Sequence, residues 1–403
     1  MDGVIIGQSG GPTAVINASL AGCVSEARKR GCKKILGMKN GIKGLLGGSS
    51  VDLNVLLKTE DDIEKLKRTP ASALGSCRFK LPDFEKDESV YRALFSTMAS
   101  LKVDSFLYIG GNDSMDTIEK LARYGKKTGS EVRFVGIPKT IDNDLSETDH
   151  SPGFGSAAKF IATTVREIAF DCNVYDVPSL TIVEIMGRNA GWLAASSVLA
   201  KSNEQPGADL IYLPETPFSE NDFLEKVKDV LSKKNSVVAV ISEGIRRADG
   251  KLVCALLGGD GAEDAFGHSM LSGAGKYLEK VVSSKLGIKC RSIELSTVQR
   301  CAAHCMSVTD MNEAFSLGKA AVRATFEGKS GVVPILRRVS DNPYSCETVL
   351  CEVEKIANKE RTVPKDWITN GFVSEKIEQF VRPLIQGEVF HDWTGGLPSF
   401  LSF

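Results

Sequence analysis

The sequence predicts an α/β fold with mostly parallel sheets, and three observations carry the prediction. Short apolar runs alternate with helix-like stretches over most of the 403 residues. Several of those runs end in small-residue turns that open the next stretch, as a strand–turn–helix unit requires. Seven candidate strands crowd into roughly 240 residues, which fits two Rossmann-like lobes better than one sheet. Ligands of such sheets collect at the carboxyl ends of the strands, so the active site is expected in the cleft between the lobes.

The elements follow in order. The strands are Gly3–Gly7, built on the apolar run Val4 to Ile6, then Lys34–Met38, Ser105–Ile109, Val132–Ile137, Ser179–Ile185, Leu210–Leu213 and Val237–Ser242. Between them lie helix-like stretches at Ala14–Arg30, Ser89–Leu101, Ser114–Thr128, Ala157–Asp171, Asn189–Lys201 and Glu220–Lys234. The Pro/Gly cluster Ser151-Pro152-Gly153-Phe154-Gly155 reads as a hinge. It divides a first lobe at 1–152, completed by part of 299–360, from a second at 153–298. The stretch 341–403 is more polar and less regular, and reads as a return segment or appendage. No short-period repeat or low-complexity tract interrupts the pattern.

Composition narrows the function. Hydrophobic residues make up 42%, enough for a large core. Fifty basic residues against 51 acidic ones argue against a nucleic-acid or membrane-surface binder. The ten cysteines are scattered without a Cys-x-x-Cys pair, which suits reduced thiols in a cytoplasmic protein. Cys301, His304 and Cys305 together supply too few ligands for a zinc site. The first residues lack the charged start and long apolar stretch of a signal peptide. No apolar run approaches the ~18 residues of a membrane span.

The chemistry concentrates in Gly136-Ile137-Pro138-Lys139-Thr140-Ile141-Asp142-Asn143-Asp144. A strand delivers a lysine, a threonine and two carboxylates within six residues. Proton acceptor, anion clamp and hydroxyl donor suit phosphoryl transfer to an alcohol. Alone, Asp-Asn-Asp is as well explained as an acidic turn. Three further turns change the balance. Gly7-Gln8-Ser9-Gly10-Gly11-Pro12-Thr13 lets backbone N–H groups approach an anion at a helix start, although a ligand-free turn explains it equally well. It matches neither the Walker loop nor Gly-x-Gly-x-x-Gly. Tyr108-Ile109-Gly110-Gly111-Asn112-Asp113-Ser114 follows a strand and reads as a phosphate- and magnesium-facing turn, with Ser114 placed to cap the helix. Glu184-Ile185-Met186-Gly187-Arg188-Asn189-Ala190-Gly191-Trp192 projects an arginine, the bidentate phosphate ligand. Ser242-Glu243-Gly244, Arg291, Val298-Gln299-Arg300 and the loop arginine Arg78 extend the set.

In order and spacing these motifs resemble the phosphofructokinase superfamily, over residues 3–300. Within it they look like the pyrophosphate-dependent branch. Asp113 stands where nucleotide-dependent members carry a glycine, and its carboxylate is expected to repel the α-phosphate of ATP. Lys139 likewise replaces a glycine and adds a charge for a smaller anion.

The resemblance implies Mg2+-dependent transfer from pyrophosphate to the 1-hydroxyl of fructose 6-phosphate, readily reversible, in a homodimer or homotetramer. It implies Asp142 as general base, with Lys139, Thr140 and Asp144 beside it. Gly10, Gly11, Arg78, Asp113 and Lys139 are expected at pyrophosphate. Thr140, Asp142, Met186, Gly187, Arg188, Glu243, Arg291, Thr297 and Arg300 are expected at the sugar phosphate, and Asn112 and Asp113 at the metal. Asn112, Ser179 and Thr297 depart from the common pattern, where an aspartate, an arginine and a histidine or tyrosine are usual. An ATP-dependent enzyme and an inactive sugar-phosphate-binding module are the alternatives.

Overall fold

The computed structural model describes residues 3–257 and 273–403. The chain divides into two compact units. One comprises Met1–Ser156, Arg300–Glu360 and Gln386–Phe403, the other Ala157–Gln299 and Arg361–Ile385. Eleven strands build their main sheets: β1 Gly3–Gln8, β2 Lys34–Met38, β3 Ser50–Asp52, β4 Ser105–Gly110, β5 Arg133–Pro138, β6 Ser179–Ile185, β7 Leu210–Tyr212, β8 Ser236–Ser242, β9 Lys289–Glu294, β10 Val332–Asp341 and β11 Tyr344–Glu352.

The first unit is a seven-stranded sheet in the order β11-β10-β5-β4-β1-β2-β3. The five central strands are parallel, and the edge strands β3 and β11 run antiparallel to their neighbours. β1 and β4 are buried along their whole length, which is why their sequences read as unbroken apolar runs. Alternate side chains serve opposite faces. Val4, Ile6, Leu107, Ile109, Val135 and Ile137 share a core with the helices Ile16–Lys29 and Val308–Phe326. Ile5, Phe106, Tyr108 and Phe134 share another with Ser89–Leu101 and Asn112–Thr128.

The helices Ile16–Lys29 and Val308–Phe326 touch through glycine. A Cβ on Gly318 would lie 2.1 Å from the Ser19 carbonyl oxygen, and one on Gly22 equally close to that of Phe315. Both neighbours are backbone and cannot yield locally. Gly318→Ala is therefore expected to destabilise the protein by about 1–3 kcal/mol, measured as a lowered Tm in calorimetry.

The second unit holds a fully parallel four-stranded sheet in the order β7-β8-β6-β9. Its core gathers Ile182, Val237, Ala239 and Ile241 from the sheet with Phe223 and Val227 of Glu220–Leu231 and Leu278 and Val282 of Ala274–Leu286. β9 is an edge strand and remains partly exposed.

The structure revises two sequence expectations. The stretch expected as one helix at Asn189–Lys201 is a short helix, Trp192–Ser196, continued as a 3-10 turn to Ala200. Ser114 does not cap its helix. Gly111 occupies the cap, and the helix begins at Asn112. From Asp341 onward the chain forms β11 in the first sheet, crosses the second unit at Arg361–Ile385, and ends in the first. The ten cysteines, all among the described residues, form no disulfide. Among the described residues no helix is long and apolar enough to cross a membrane.

Candidate active site

Strand register sets the site of the first unit. Gln8 of β1 pairs with Ile109 of β4, and Gly110 of β4 with Pro138 of β5. The three loops that follow these strands therefore leave the sheet side by side at its carboxyl edge. The first loop turns through Gly10, whose φ of 72° lies in the left-handed region that glycine tolerates. The backbone of Ser76 and Cys77 is pinned to this turn, since Gly10 N–H donates to the Cys77 carbonyl at 3.2 Å and Ser76 Oγ donates to that of Gly10 at 2.6 Å. Arg78 follows directly, with an exposed side chain.

The second loop is locked to the first. Ser9 Oγ and Ser114 Oγ share a hydrogen bond. A Cβ on Gly110 would fall 1.9 Å from Ser114 Oγ, so only glycine permits the approach. Asp113 stands in the first turn of Asn112–Thr128. Asn112 is engaged at both ends of its amide. Its oxygen accepts Asn358 N–H at 2.6 Å, and its nitrogen donates to the Lys359 carbonyl at 2.8 Å.

The third loop carries the acids. Lys139 is only 3% exposed, and its Nζ donates to the Gly11 carbonyl. Burial pushes the Lys139 ammonium down to about 8, against the pull of Asp142 and Asp144 and with the repulsion of Arg300. Burial and the neighbouring Asp142 push Asp144 up to about 7. Asp144 Oδ1 is buried without a hydrogen-bond partner. Thr140 Oγ1 accepts the Asp142 N–H at 3.1 Å, fixing the backbone at that carboxylate. Asn143 between the two acids adopts φ of 53° and is fully buried.

Arg300 completes this group. Its Nη1 would lie 3.1 Å from a Cβ at Gly11, and its Nε is buried without a partner. Arg300, expected from the sequence at the sugar 6-phosphate, has its guanidinium against the glycine loop beside Lys139. Gly10, Gly11, Lys139, Thr140, Asp142, Asp144 and Arg300 are thus brought together, with two cations, a general-base candidate and an oxygen suited to a hard cation.

In the second unit, β6 and β8 end in register, Ile185 opposite Ser242. The turns that follow are cross-linked. Gly187 N–H donates to Glu243 Oε1 at 3.2 Å, and Ser242 Oγ donates to the Gly187 carbonyl. Met186 N–H donates to Gln299 Oε1 at 3.2 Å. A Cβ on Gly244 would lie 2.0 Å from the Arg188 carbonyl oxygen. Met186, Gly187, Arg188 and Glu243 therefore form one rigid corner. Thr297 lies in the turn Ser296–Arg300, beside Gln299.

Arg291 is not at that corner. It pairs with Thr181, four residues before Ile185, or about 13 Å along the strand. Its guanidinium donates to Thr181 Oγ1 at 3.0 Å and Asp171 Oδ2 at 2.7 Å.

Sequence reasoning passed over Glu215 and Gln299. Glu215 Oε1 accepts N–H groups of Gly191 and Val363, at 2.8 and 2.9 Å. Nothing in the local sequence around Glu215 signals either bond, since the partners are distant in the chain. Gln299 lies inside a motif already singled out, and its burial was the missing signal.

Comparisons with known proteins show the family of the chain. A family model described as phosphofructokinase matches residues 3–325. The pyrophosphate–fructose 6-phosphate 1-phosphotransferase of Xanthomonas campestris is 41% identical, covering 99% of this chain and 95% of that protein. That of Methylococcus capsulatus is 37% identical, covering 98% and 94%. The crystal structure of a pyrophosphate-dependent phosphofructokinase from Nitrosospira multiformis superposes with a TM-score of 0.89 at 33% identity, covering 99% of this chain and 95% of that one.

Proposed function

We propose that this chain, which belongs to the phosphofructokinase family, is a phosphotransferase that moves a phosphoryl group from pyrophosphate to the 1-hydroxyl of fructose 6-phosphate. The observation that carries the donor assignment is Lys139, a buried cation on the glycine loop, paired with an equally placed Arg300. A compact dianionic phosphate matches two fixed cations and the N–H groups of a small-residue turn. Asp113 in the adjacent helix turn opposes the further phosphate of a nucleotide.

In the reaction Asp142 accepts the proton of the 1-hydroxyl. The oxygen bonds to the nearer phosphorus as the bridging P–O bond of pyrophosphate breaks, and phosphate leaves with the bridging oxygen. Lys139 and Arg300 hold the donor and its departing charge, and Gly10, Gly11 and Arg78 border the same anion. Thr140 orients the hydroxyl. Met186, Gly187, Arg188, Glu243 and Thr297 serve the sugar phosphate. Arg291, held by Asp171 and Thr181, stays outside this assignment.

A divalent cation fits the acidic oxygens here, because the buried Asp144 Oδ1 lacks a partner. We assign magnesium to Asp144 and Asp113. Asn112 is left out of this assignment, because its neutral amide, already held by Asn358 and Lys359, is a weaker ligand than either carboxylate. The ion neutralises charge on pyrophosphate oxygens when bound.

Two measurements test the reading. Given fructose 1,6-bisphosphate, phosphate and magnesium, the purified protein is expected to form pyrophosphate. No detectable pyrophosphate at any enzyme concentration would refute a reversible pyrophosphate enzyme. The second measurement is the pH profile of kcat/KM for pyrophosphate. Lys139 loses its charge as pH rises through about 8. The parameter is expected to fall above that pH by up to about tenfold per unit, and a flat profile to pH 9.5 would remove Lys139 from donor binding.

A further inference from the structure

Behind the acidic loop lies a buried charge cluster that the proposed reaction does not use. His150 is fully buried, with Nδ1 2.8 Å from Asp149 Oδ1 and Nε2 2.7 Å from Glu313 Oε2. An ionised carboxylate only accepts, so a ring between two of them carries a proton on each nitrogen. Arg338 Nε and Nη2 donate to the same Asp149 oxygen, at 3.1 and 3.0 Å. Tyr344 Oη donates to Glu313 Oε1 at 2.5 Å. Two cations thus face two carboxylates, as buried charge demands. Cys346 completes a trio with Asp149 and His150 close enough to share an ion. The doubly protonated ring has no lone pair to offer a metal, and burial pushes the Cys346 thiol up to about 11.

The cluster sits at a junction. Glu313 and Asp310 are three residues apart on the helix Val308–Phe326 and face the segment after the acidic loop. Asp310 accepts the N–H groups of Gly153 and Ser156, both at 2.8 Å. Glu313 takes His150. The residues next to His150 then hold the loop itself. Ser151 N–H donates to Asn143 Oδ1 at 3.0 Å, and Thr140 N–H donates to the Pro152 carbonyl at 3.2 Å. Asn143 and Thr140 flank Asp142. Hydrogen bonds from His150, Ser151 and Pro152, three consecutive backbone positions, therefore tie the helix to both sides of the proposed base.

We propose that His150, clamped as an imidazolium between Asp149 and Glu313, is the positioning residue that fixes the acidic loop and with it Asp142. The inference rests on the role given to Asp142 above. Burial favours a neutral ring, but the charges and hydrogen bonds of Glu313 and Asp149 outweigh it and hold His150 up to about 9. Burial also disfavours an ionised Asp149, yet His150 and Arg338 together hold that carboxyl below its ordinary value. Asp310, raised to about 6 mainly by burial and also by Glu313, and the Tyr344 hydroxyl and Cys346 thiol, both raised mainly by burial, are the other titratable groups around the ring. A histidine raised in the folded state stabilises it fully below the unfolded value of about 6.5. That stabilisation is lost as pH rises through about 9.

The test compares full-length wild type with His150→Gln, Glu313→Gln and the double variant, measuring kcat, KM for pyrophosphate and Tm between pH 6 and 10. His150→Gln leaves the Glu313 carboxylate without its cation, and Glu313→Gln leaves His150 and Arg338 sharing the one carboxylate of Asp149. Each is expected to lower kcat about tenfold or more by displacing the base, with KM for pyrophosphate within about threefold because Gly11, Lys139 and Arg300 are untouched. The double variant restores a neutral amide pair, and kcat is expected to recover to within about threefold of wild type. The loss of Tm between pH 6.5 and 9 is expected to shrink in all three variants. Single variants that lose Tm but keep wild-type kcat well below Tm would overturn the inference, leaving a purely structural cluster. A double variant no better than the singles would overturn it too. Absence of turnover in the wild type would instead defeat the functional reading, and the inference with it.

Discussion

Asp142→Asn is expected to lower turnover by about 10² or more while leaving substrate affinity nearly unchanged. The amide keeps the shape of the side chain and the Thr140 Oγ1 contact to the backbone at position 142. It cannot take the hydroxyl proton. Donor affinity is expected to hold because Lys139 and Arg300 remain in place against Gly11. The same change has a second signature. Asp142 helps keep Lys139 charged and helps push Asp144 up, so removing its charge lowers both pKa values. The alkaline limb of kcat/KM for pyrophosphate is expected to move to lower pH in the variant. Near-normal kcat would strip Asp142 of its role as base, and an unmoved limb would separate it electrostatically from Lys139.

The second large effect concerns donor choice. Asp113→Gly combined with Lys139→Gly is expected to cut kcat/KM for pyrophosphate by about 10²–10³, the usual cost of losing a buried charge contact to a ligand. It is also expected to give measurable phosphoryl transfer from ATP. The two changes act together. One removes a carboxylate from the first turn of Asn112–Thr128, and the other removes the cation that fills the space by Gly10, where a Cβ would lie 3.6 Å from Lys139 Nζ. No gain in ATP use in the double variant would mean that donor selection resides elsewhere.

The parallel strands and the loops at their carboxyl ends were legible in the sequence because burial on both faces leaves a plain apolar run. β1, β4, β6 and β8 lie within a residue or two of their expected limits. β9, β10 and β11 were not anticipated. They are edge or near-edge strands whose charged residues, the outward Arg291 and Arg337 and the inward Arg338, interrupt the apolar signal. The helix Val308–Phe326 was missed for a related reason. It points Asp310 and Glu313 inward, where a simple amphipathic pattern would put apolar residues.

Within the site, sequence supplied the identities of Lys139, Thr140, Asp142 and Asp144, since one loop carries them all. It did not reveal the surroundings of groups that are held by distant chain. Arg300 lies on the glycine loop although nearly 290 residues separate it from Gly11. Asn112 is bound by Asn358 and Lys359, and Ser114 by Ser9 rather than by its own helix end. His150 and Glu313 gave no sequence signal because a buried ion cluster has no spacing rule. Their meaning arises only from the fold that brings them together.

The most direct test of the central claim is an initial-rate assay with fructose 6-phosphate and magnesium, supplying pyrophosphate or ATP in parallel. Fructose 1,6-bisphosphate is expected to form with pyrophosphate, and none above background with ATP. Turnover with ATP alone would contradict the assignment of Lys139 and Asp113 as the determinants of a pyrophosphate donor.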